Sequence, residues 1–557
     1  MKTQNLFVAL VLGLFFSPEL SSAPGDDLVR CALVISSASG EEELDEEFLE
    51  RLEKLEQRPL NLNTATVRQL EASCLMTHYQ AVSLRDHIER SGAIRSYEEL
   101  SYVDGFSRSL AQSLKRFTTL GLDADSELRE KQRLEGKIQI KAGVRSDGKY
   151  SDAQRLELNW GSRAAFYWSR SKSFSTGKEP FPGTVSLRYS PARASSLKMV
   201  IGHYSARYAL GLNVWSGMRI SSLSAVSFLF PSSSGLSETS SSQASLCGLA
   251  LEWETRRVSL GASLSPLSKD FTLHAEHLSP RSTLALNVTD KGSSLDWRVC
   301  LKTFSILGEA SFLYPSLLGS SSQSYKGSGY GAFNAAVSLL WVPSYGKNFV
   351  LQARYIHPDS KLQSFKYSGV SAIFQSNIIQ TGLECNYDPS QKRLLYEALA
   401  GLTLSDSGRE LKLRGRLKSN SSNDLFRPHS SLRAEGSLSK GKAELRARLE
   451  GVLNKGFGGL GYIEGSWKDG KTALYLRLGA FYIDSWDDRI YVYERNAPPS
   501  FSVVAYYLRG WNSSLYAVYN ISFHHKLYFR AETRQYPWSK VEKDSFWALN
   551  MQYRWIF

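Results

Sequence analysis

Beyond residue 16 the 557-residue chain has no apolar run long enough to cross a bilayer as a helix. Cysteine is scarce and badly placed for structural use. Cys31, Cys74, Cys247, Cys300 and Cys385 are odd in number and far apart, which excludes a disulfide framework and a zinc site with paired spacing. The nine histidines are scattered, with no Ser, Asp and His at a spacing that brings them to one rim, so no catalytic set is recognisable and no enzyme activity is expected. Gly456-Phe-Gly458-Gly-Leu-Gly461 matches a dinucleotide pattern in letters only. No helix pattern follows it, so it reads as a loop or bulge and no cofactor is expected. His524 and His525, adjacent on an expected strand, point to opposite faces and read as rim residues rather than metal ligands. Mean hydropathy is -0.28, the value of a water-soluble protein.

What the chain has instead is alternation. In the last stretch, Trp547, Leu549, Met551, Tyr553, Trp555 and Phe557 share one parity, whereas Phe546, Ala548, Asn550, Gln552, Arg554 and Ile556 make a mixed face on the other. Period two means a strand, and about ten residues is the length a tilted strand needs to cross a bilayer. The pattern resembles the closing strand of a bacterial outer-membrane β-barrel, a family whose chains commonly end in Phe. That resemblance implies recognition of the Phe557 strand by the barrel-insertion machinery and contact with outer-membrane lipid and lipopolysaccharide. Only alternate residues of such a strand face lipid, which explains the low mean hydropathy, and 12% aromatic residues suits girdles at the two membrane interfaces.

The beginning of the chain agrees. Met1-Lys2 and the short apolar run Leu6 to Phe16 read as a secretory signal peptide, residues 1–23, with cleavage after Ala23. Residues 24–58 hold an acidic amphipathic helix, with Leu44, Phe48, Leu52 and Leu55 at helical spacing in 39–58. Residues 59–121 are helical again, with capping boxes at Thr66-x-x-Gln69 and Ser96-x-x-Glu99. A charged linker fills 122–134, and from 135 to 557 the period is two.

The fold expected is therefore mainly β: a large antiparallel transmembrane barrel of about 20–24 strands, even in number, behind a small all-α domain. Asp406-Ser-Gly408, Lys440-Gly441-Lys442 and Asp469-Gly470 mark hairpin turns. Between them Leu411, Leu413, Gly415 and Leu417 oppose Lys412, Arg414, Arg416 and Lys418. Leu445 and Leu449 oppose Arg446 and Arg448, and Leu476 and Leu478 oppose Arg477. The run AELRARLEGVL alone reads as helix or strand; its turn-bounded neighbours decide for a strand. An Arg at mid-bilayer depth costs roughly 2 to 4 kcal/mol on the lipid face, so Arg414, Arg416, Arg446, Arg448 and Arg477 are expected to face the lumen. Ser-rich stretches at 216–245 and 316–329 read as long loops or a lumen insert.

Charge is unevenly divided. Residues 1–134 carry 15 Lys+Arg against 22 Asp+Glu, a net of -7, and the remainder carries 52 against 32, a net of +20. A basic lumen or rim suits anionic cargo or lipopolysaccharide phosphate; solvation alone is the plainer explanation.

Asn61-Leu-Asn63-Thr-Ala65, Ile94-Arg-Ser96-Tyr-Glu-Glu-Leu100 and Val103-Asp-Gly105-Phe-Ser107 resemble the tandem helix-hairpin-helix domain of the ComEA-like family, which binds DNA outside the cytoplasmic membrane. The resemblance implies a turn that offers backbone N–H groups to phosphate without reading base sequence. In the first hairpin Leu75-Met76-Thr77-His78-Tyr79 replaces the expected glycines and blocks that approach. The second keeps Gly105 but has Ser107 for the second glycine, with Arg108, Lys115 and Arg116 nearby to neutralise phosphate. Seven basic residues face six acidic ones over 61–121, a modest balance for a nucleic-acid domain. Met199 to Tyr204 and Gly211 to Gly217 resemble a stretch of large barrel proteins that carry this helical domain at their N-terminus. The function implied is a non-enzymatic outer-membrane barrel whose periplasmic helical domain binds DNA or another polymer in uptake or envelope transport. The alternative is an envelope-assembly or structural protein whose helical domain docks a periplasmic protein or plugs the barrel.

Overall fold

The structure is a computed structural model. It describes residues 28–121 and 134–557 except 39, 45, 161–162, 173–182, 193–194, 217–222, 224–228, 232–234, 240–245, 267, 280, 315–331, 345–346, 359, 361–364, 390–391, 420–427, 499, 523 and 540–543. The signal peptide, most of the 122–134 linker and the Ser-rich 316–329 stretch lie outside the described residues.

Twenty-four antiparallel strands close into one barrel, within the expected range and even in number. The seam is made by the first wall strand, Leu134–Arg145, and the last, Phe546–Ile556, paired from Ile556↔Lys137 to Ala548↔Arg145. Phe557 exchanges two backbone hydrogen bonds with Gly136, at 2.8 and 2.9 Å, and its ring lies over that glycine. The terminal aromatic residue is thus the last rung of the ladder that removes the sheet's edges.

The wall follows the alternation read from sequence. In Ala443–Leu453, Leu445 and Leu449 stand outward, 45% and 42% exposed, while Arg448 between them is 1% exposed. The AELRARLEGVL run is a strand because its charged parity has a lumen to enter. Ser407 and Gly408, Gly441 and Gly470 all have positive φ in the two-residue turns where they were expected. Trp160, Trp253, Trp341, Trp467, Tyr519 and Trp555 lie outward near one end of the barrel, and Tyr355, Tyr387, Tyr482, Trp511 and Trp547 near the other. Leucines and isoleucines occupy the band between. So continuous an apolar belt far exceeds the few hundred Å² of patch that a water-soluble surface carries, and two aromatic rings mark interfaces with a hydrocarbon layer.

The two ends differ. At the end holding both edges of the seam, successive strands are separated by two to four residues. At the opposite end the separations reach 18, 25 and 38 residues. Short turns on one side and long loops on the other are the asymmetry of an outer-membrane barrel.

The helices are α1 (Leu28–Ser36), α2 (Glu46–Gln57), α3 (Val67–Ala72), α4 (His78–Ser91), α5 (Tyr97–Leu100) and α6 (Arg108–Leu114). They share one apolar core: Leu44, Leu49 and Leu52 pack with Leu62, Leu70, Leu84, Ile94 and Phe106. The acidic helix begins at Glu46, later than the periodicity suggests. Before it Glu41–Glu43 forms a single 3-10 turn. Thr66 makes its capping box with Gln69, and a second box not read from sequence joins Thr77 and Gln80. Ser96 accepts from the Glu99 amide, but the Glu99 carboxylate turns back to accept from the Arg95 amide, so that box is half formed.

Two loops from the long-loop end fold inward toward this domain. Leu210, Leu212, Leu229 and Phe230 pack on Leu307, Leu340 and Val350 of the wall and on Tyr79 and Val82 of α4. The other loop forms a hairpin, Ile490–Tyr493 with Val503–Tyr506, and places Tyr493 and Phe501 against the helical core. The inward folding of 208–239 agrees with the lumen insert read from its serine-rich sequence, for the residues described.

Candidate functional site: a lumen closed by the N-terminal domain

A surface amphipathic helix puts its charged face in water. In α2 that face meets the barrel wall. Glu47 takes a hydrogen bond from Ser205 Oγ at 2.7 Å and pairs with Arg207 at 2.7 Å. Two turns on, Glu53 pairs with Arg554 of the closing strand at 2.8 Å and with Lys137 of the first strand at 3.6 Å. Lys54 donates to the Glu238 carbonyl at 3.2 Å and sits over the Tyr167 ring. Burial pushes the Glu53 carboxyl up, but Lys137, Arg554 and Arg155 overcome it and hold the group below its ordinary range.

The 3-10 turn makes the densest contact. Glu42 lies between Arg414, at 2.9 Å, and Arg433, with Arg448 at 3.7 Å. Glu43 reaches Arg414 at 3.2 Å and Glu41 reaches Arg446 at 2.6 Å. Burial raises the Glu42 carboxyl; Arg433, Arg448 and Arg414 outweigh it and keep it well below the usual carboxylate range. Arg448 pairs with Glu450 and approaches Glu435 at 3.6 Å, and Arg433 pairs with Glu450 at 3.0 Å.

On the opposite side, Arg68 lies 3.6 Å from both Glu252 and Glu276, and Glu71 pairs with Arg298 while accepting from His78 Nδ1 at 3.2 Å. At the short-turn rim, Arg30 pairs with Glu444, Arg58 with Glu135 at 3.4 Å, and Asp86 with Arg281 at 3.0 Å. The helical domain is thus fastened around its circumference, inside the wall rather than below it.

All five arginines expected in the lumen face it. Arg414, Arg446 and Arg448 hold the acidic turn. Arg416 is taken by Glu397 at 2.5 Å, and Arg477 by Glu464 and by the Tyr493 carbonyl at 2.7 Å. Arg414, Arg446 and Arg448 meet carboxylates of the N-terminal domain, whereas Arg416 and Arg477 are paired within the wall. Sequence reasoning missed Arg433, Arg207, Arg298, Lys137 and the acidic triplet itself. The triplet's signal was visible as three consecutive glutamates upstream of a basic wall.

The hairpin residues are divided. His78 and Tyr79 of the first turn are buried and Tyr79 packs on the wall, so that turn offers no open backbone. Gly105 has φ +87°, its carbonyl accepts from Gln80 Nε2 at 2.7 Å, and it faces the Tyr79 ring so closely that a Cβ would stand 3.0 Å from it. The left-handed backbone and the close Tyr79 ring together favour glycine here without any ligand. Ser107 caps α6 through the Leu110 amide, and Arg108 beside it is exposed. Lys115 is exposed at the other end of α6, about 12 Å away at 1.5 Å per residue. Arg116 is paired with Glu56 at 2.8 Å. The structure brings Gly105, Ser107 and Arg108 together on one turn and leaves Lys115 and Arg116 apart from it.

At the seam, His524 Nδ1 lies 2.8 Å from the Ile556 carbonyl, and His525 stacks on Tyr553 and Trp555. Gly458 and Gly461 belong to the strand Phe457–Asp469.

No protein-family model matches the chain, and no curated protein sequence does. Among solved structures the chain is similar to the siderophore receptor PirA from Acinetobacter baumannii, at 9% identity over 76% of this chain and 81% of that one, with a TM-score of 0.41. It is similar to the P pilus usher (PapC) translocation pore at 9% identity, over 76% and 99% of the two chains, with a TM-score of 0.39. It is also similar to the FrpB iron transporter from Neisseria meningitidis at 9% identity, over 78% and 84%, with a TM-score of 0.36.

Proposed function

We propose that this chain is an outer-membrane transport barrel held shut by its own N-terminal helical domain, with the short-turn end toward the periplasm and the Phe557 strand as the segment recognised during insertion. The observation that carries the reading is the ring of ion pairs from Glu41, Glu42, Glu43, Glu47, Glu53, Arg68 and Glu71 to the wall. A scaffold has no need to occupy its lumen with charges. Buried ion pairs are a poor way to gain stability over apolar packing but a good way to fix one arrangement that a competing charge can undo. The test is planar-bilayer recording of the full chain. Wild type is expected to be almost silent. E53Q/E71Q, which deprives Arg554 and Arg298 of their partners, is expected to give frequent openings; equal silence in both would support a purely structural barrel.

Nucleic-acid handling is the second reading, and the exposed Arg108 at the start of α6 favours it. It requires the full chain to retain duplex DNA on a filter at low salt in the usual non-specific range, about 1 to 100 μM. R108A/K115A should weaken retention several-fold, and no retention at about 100 μM removes this reading.

A further inference from the structure

Six lumenal arginines, Arg414, Arg433, Arg446, Arg448, Arg477 and Arg495, converge on one side of the barrel. Three carboxylates of the wall, Glu435, Glu450 and Glu464, answer half of that charge. The other half is answered by Glu41, Glu42 and Glu43, so the basin reaches neutrality only with the acidic turn in place. The segment is a single 3-10 turn, closed by the Glu43 and Leu44 amides donating to the Gly40 and Glu41 carbonyls and anchored by Leu44 in the helical core. The fork of guanidinium groups around its consecutive carboxylates fixes their side chains, in the geometry with which arginine takes carboxylate and phosphate alike.

We propose that this arginine basin is a binding site for a linear polyanion bearing three or more charges, and that Glu41, Glu42 and Glu43 occupy it as an internal stand-in for that ligand. The proposal rests on reading the helical domain as displaceable. A tethered occupant competes at an effective concentration in the millimolar range, so an external anion must carry several charges to win. An anion that enters brings at least the three charges that the displaced carboxylates supplied, and frees the plug on that side. A monovalent ion restores only one of the three charges and leaves the plug held.

The probe is inorganic triphosphate, titrated calorimetrically into the detergent-purified full chain at low ionic strength. E41Q/E42Q/E43Q is expected to bind triphosphate at least tenfold more tightly than wild type, because the competitor has lost its charge. Adding R414Q/R433Q to that variant should abolish the gain. Equal affinity in wild type and the triple variant, or a gain that survives R414Q/R433Q, overturns the proposal. Wild type gives a second readout that needs no variant to fold. Triphosphate should expose Arg51 and Lys54 to trypsin, and sodium chloride at matched ionic strength should not; protection unchanged by triphosphate overturns the proposal too. Binding without any channel activity would keep the site and remove the transport reading, whereas channel openings in E53Q/E71Q with no triphosphate bound would do the reverse.

Discussion

Replacing Arg448 by alanine is expected to loosen the N-terminal domain from the wall by about 3 to 5 kcal/mol, the usual penalty for leaving buried charges without their partner. Arg448 is 1% exposed and faces Glu42, Glu435 and Glu450 together. Its loss leaves three carboxylates around Arg433 in a space water does not reach. At about 1.4 kcal/mol per decade the docked state should lose roughly two to three and a half orders of magnitude in population. Amide hydrogen exchange reads this directly: protection in α2 should fall by that factor, while the hairpin Ala443–Leu453 with Phe457–Asp469 keeps its ladder. K442A is the control. The Lys442–Asp469 pair lies at a turn with side chains 61% and 48% exposed, and such pairs contribute less than about 1 kcal/mol. Comparable loss in both variants would mean that the charges around Arg448 are solvated and hold nothing.

Acid should undock the domain in two stages. Burial disfavours the His78 imidazolium; Glu276 opposes this, Arg68 adds to it, and the net effect brings His78 down from 6.5 to about 4. Glu71 shares its two oxygens between the ring, at 3.2 Å, and Arg298. A folded-state value below the unfolded one means that the undocked domain binds a proton which the docked one refuses. The stability His78 contributes is therefore complete above pH 6.5 and drains away as pH falls toward 4, at about 1.4 kcal/mol per unit, or roughly 3 kcal/mol in all. Below pH 4.5 the second stage begins. Glu42 and Glu53 are held below their ordinary values, so the docking they provide is present above 4.5 and is lost as pH drops through the lowered ones. Amide hydrogen-exchange protection of α2 against pH, corrected for the intrinsic pH dependence of exchange, should show both steps, and H78Q should erase the upper one only. Protection that stays constant from pH 7 to pH 4 would contradict the burial of His78.

The barrel was legible because its physics is local. A strand with lipid on one side and a charged lumen on the other writes period two into every segment, and Gly408, Gly441 and Gly470 announce the turns. The contents of the lumen were not legible, because they are settled between distant segments. Glu43 and Arg414 meet across 371 positions, and no window on the chain contains both. The acidic face of α2 reads as a water-facing surface until a basic wall surrounds it. The serine-rich loop around Leu229 and Phe230 reads as a long loop or a lumen insert, and the choice between them is not local, since the apolar side chains that bury it belong to Leu307, Leu340 and Val350. Gly105 was legible as a special backbone position, yet its neighbour Tyr79 shows a packing reason for it that the motif alone does not contain.

Photo-crosslinking from the first turn of α4 tests most directly whether the helical domain sits inside the barrel. With p-benzoylphenylalanine in place of Tyr79 in the intact chain, irradiation should join position 79 to the wall strands Gly292–Cys300 and Phe304–Leu313, whose Cys300 and Leu307 share its apolar cluster. Crosslinks confined to other helices of the N-terminal domain, or made only to separate proteins, would place that domain outside the lumen.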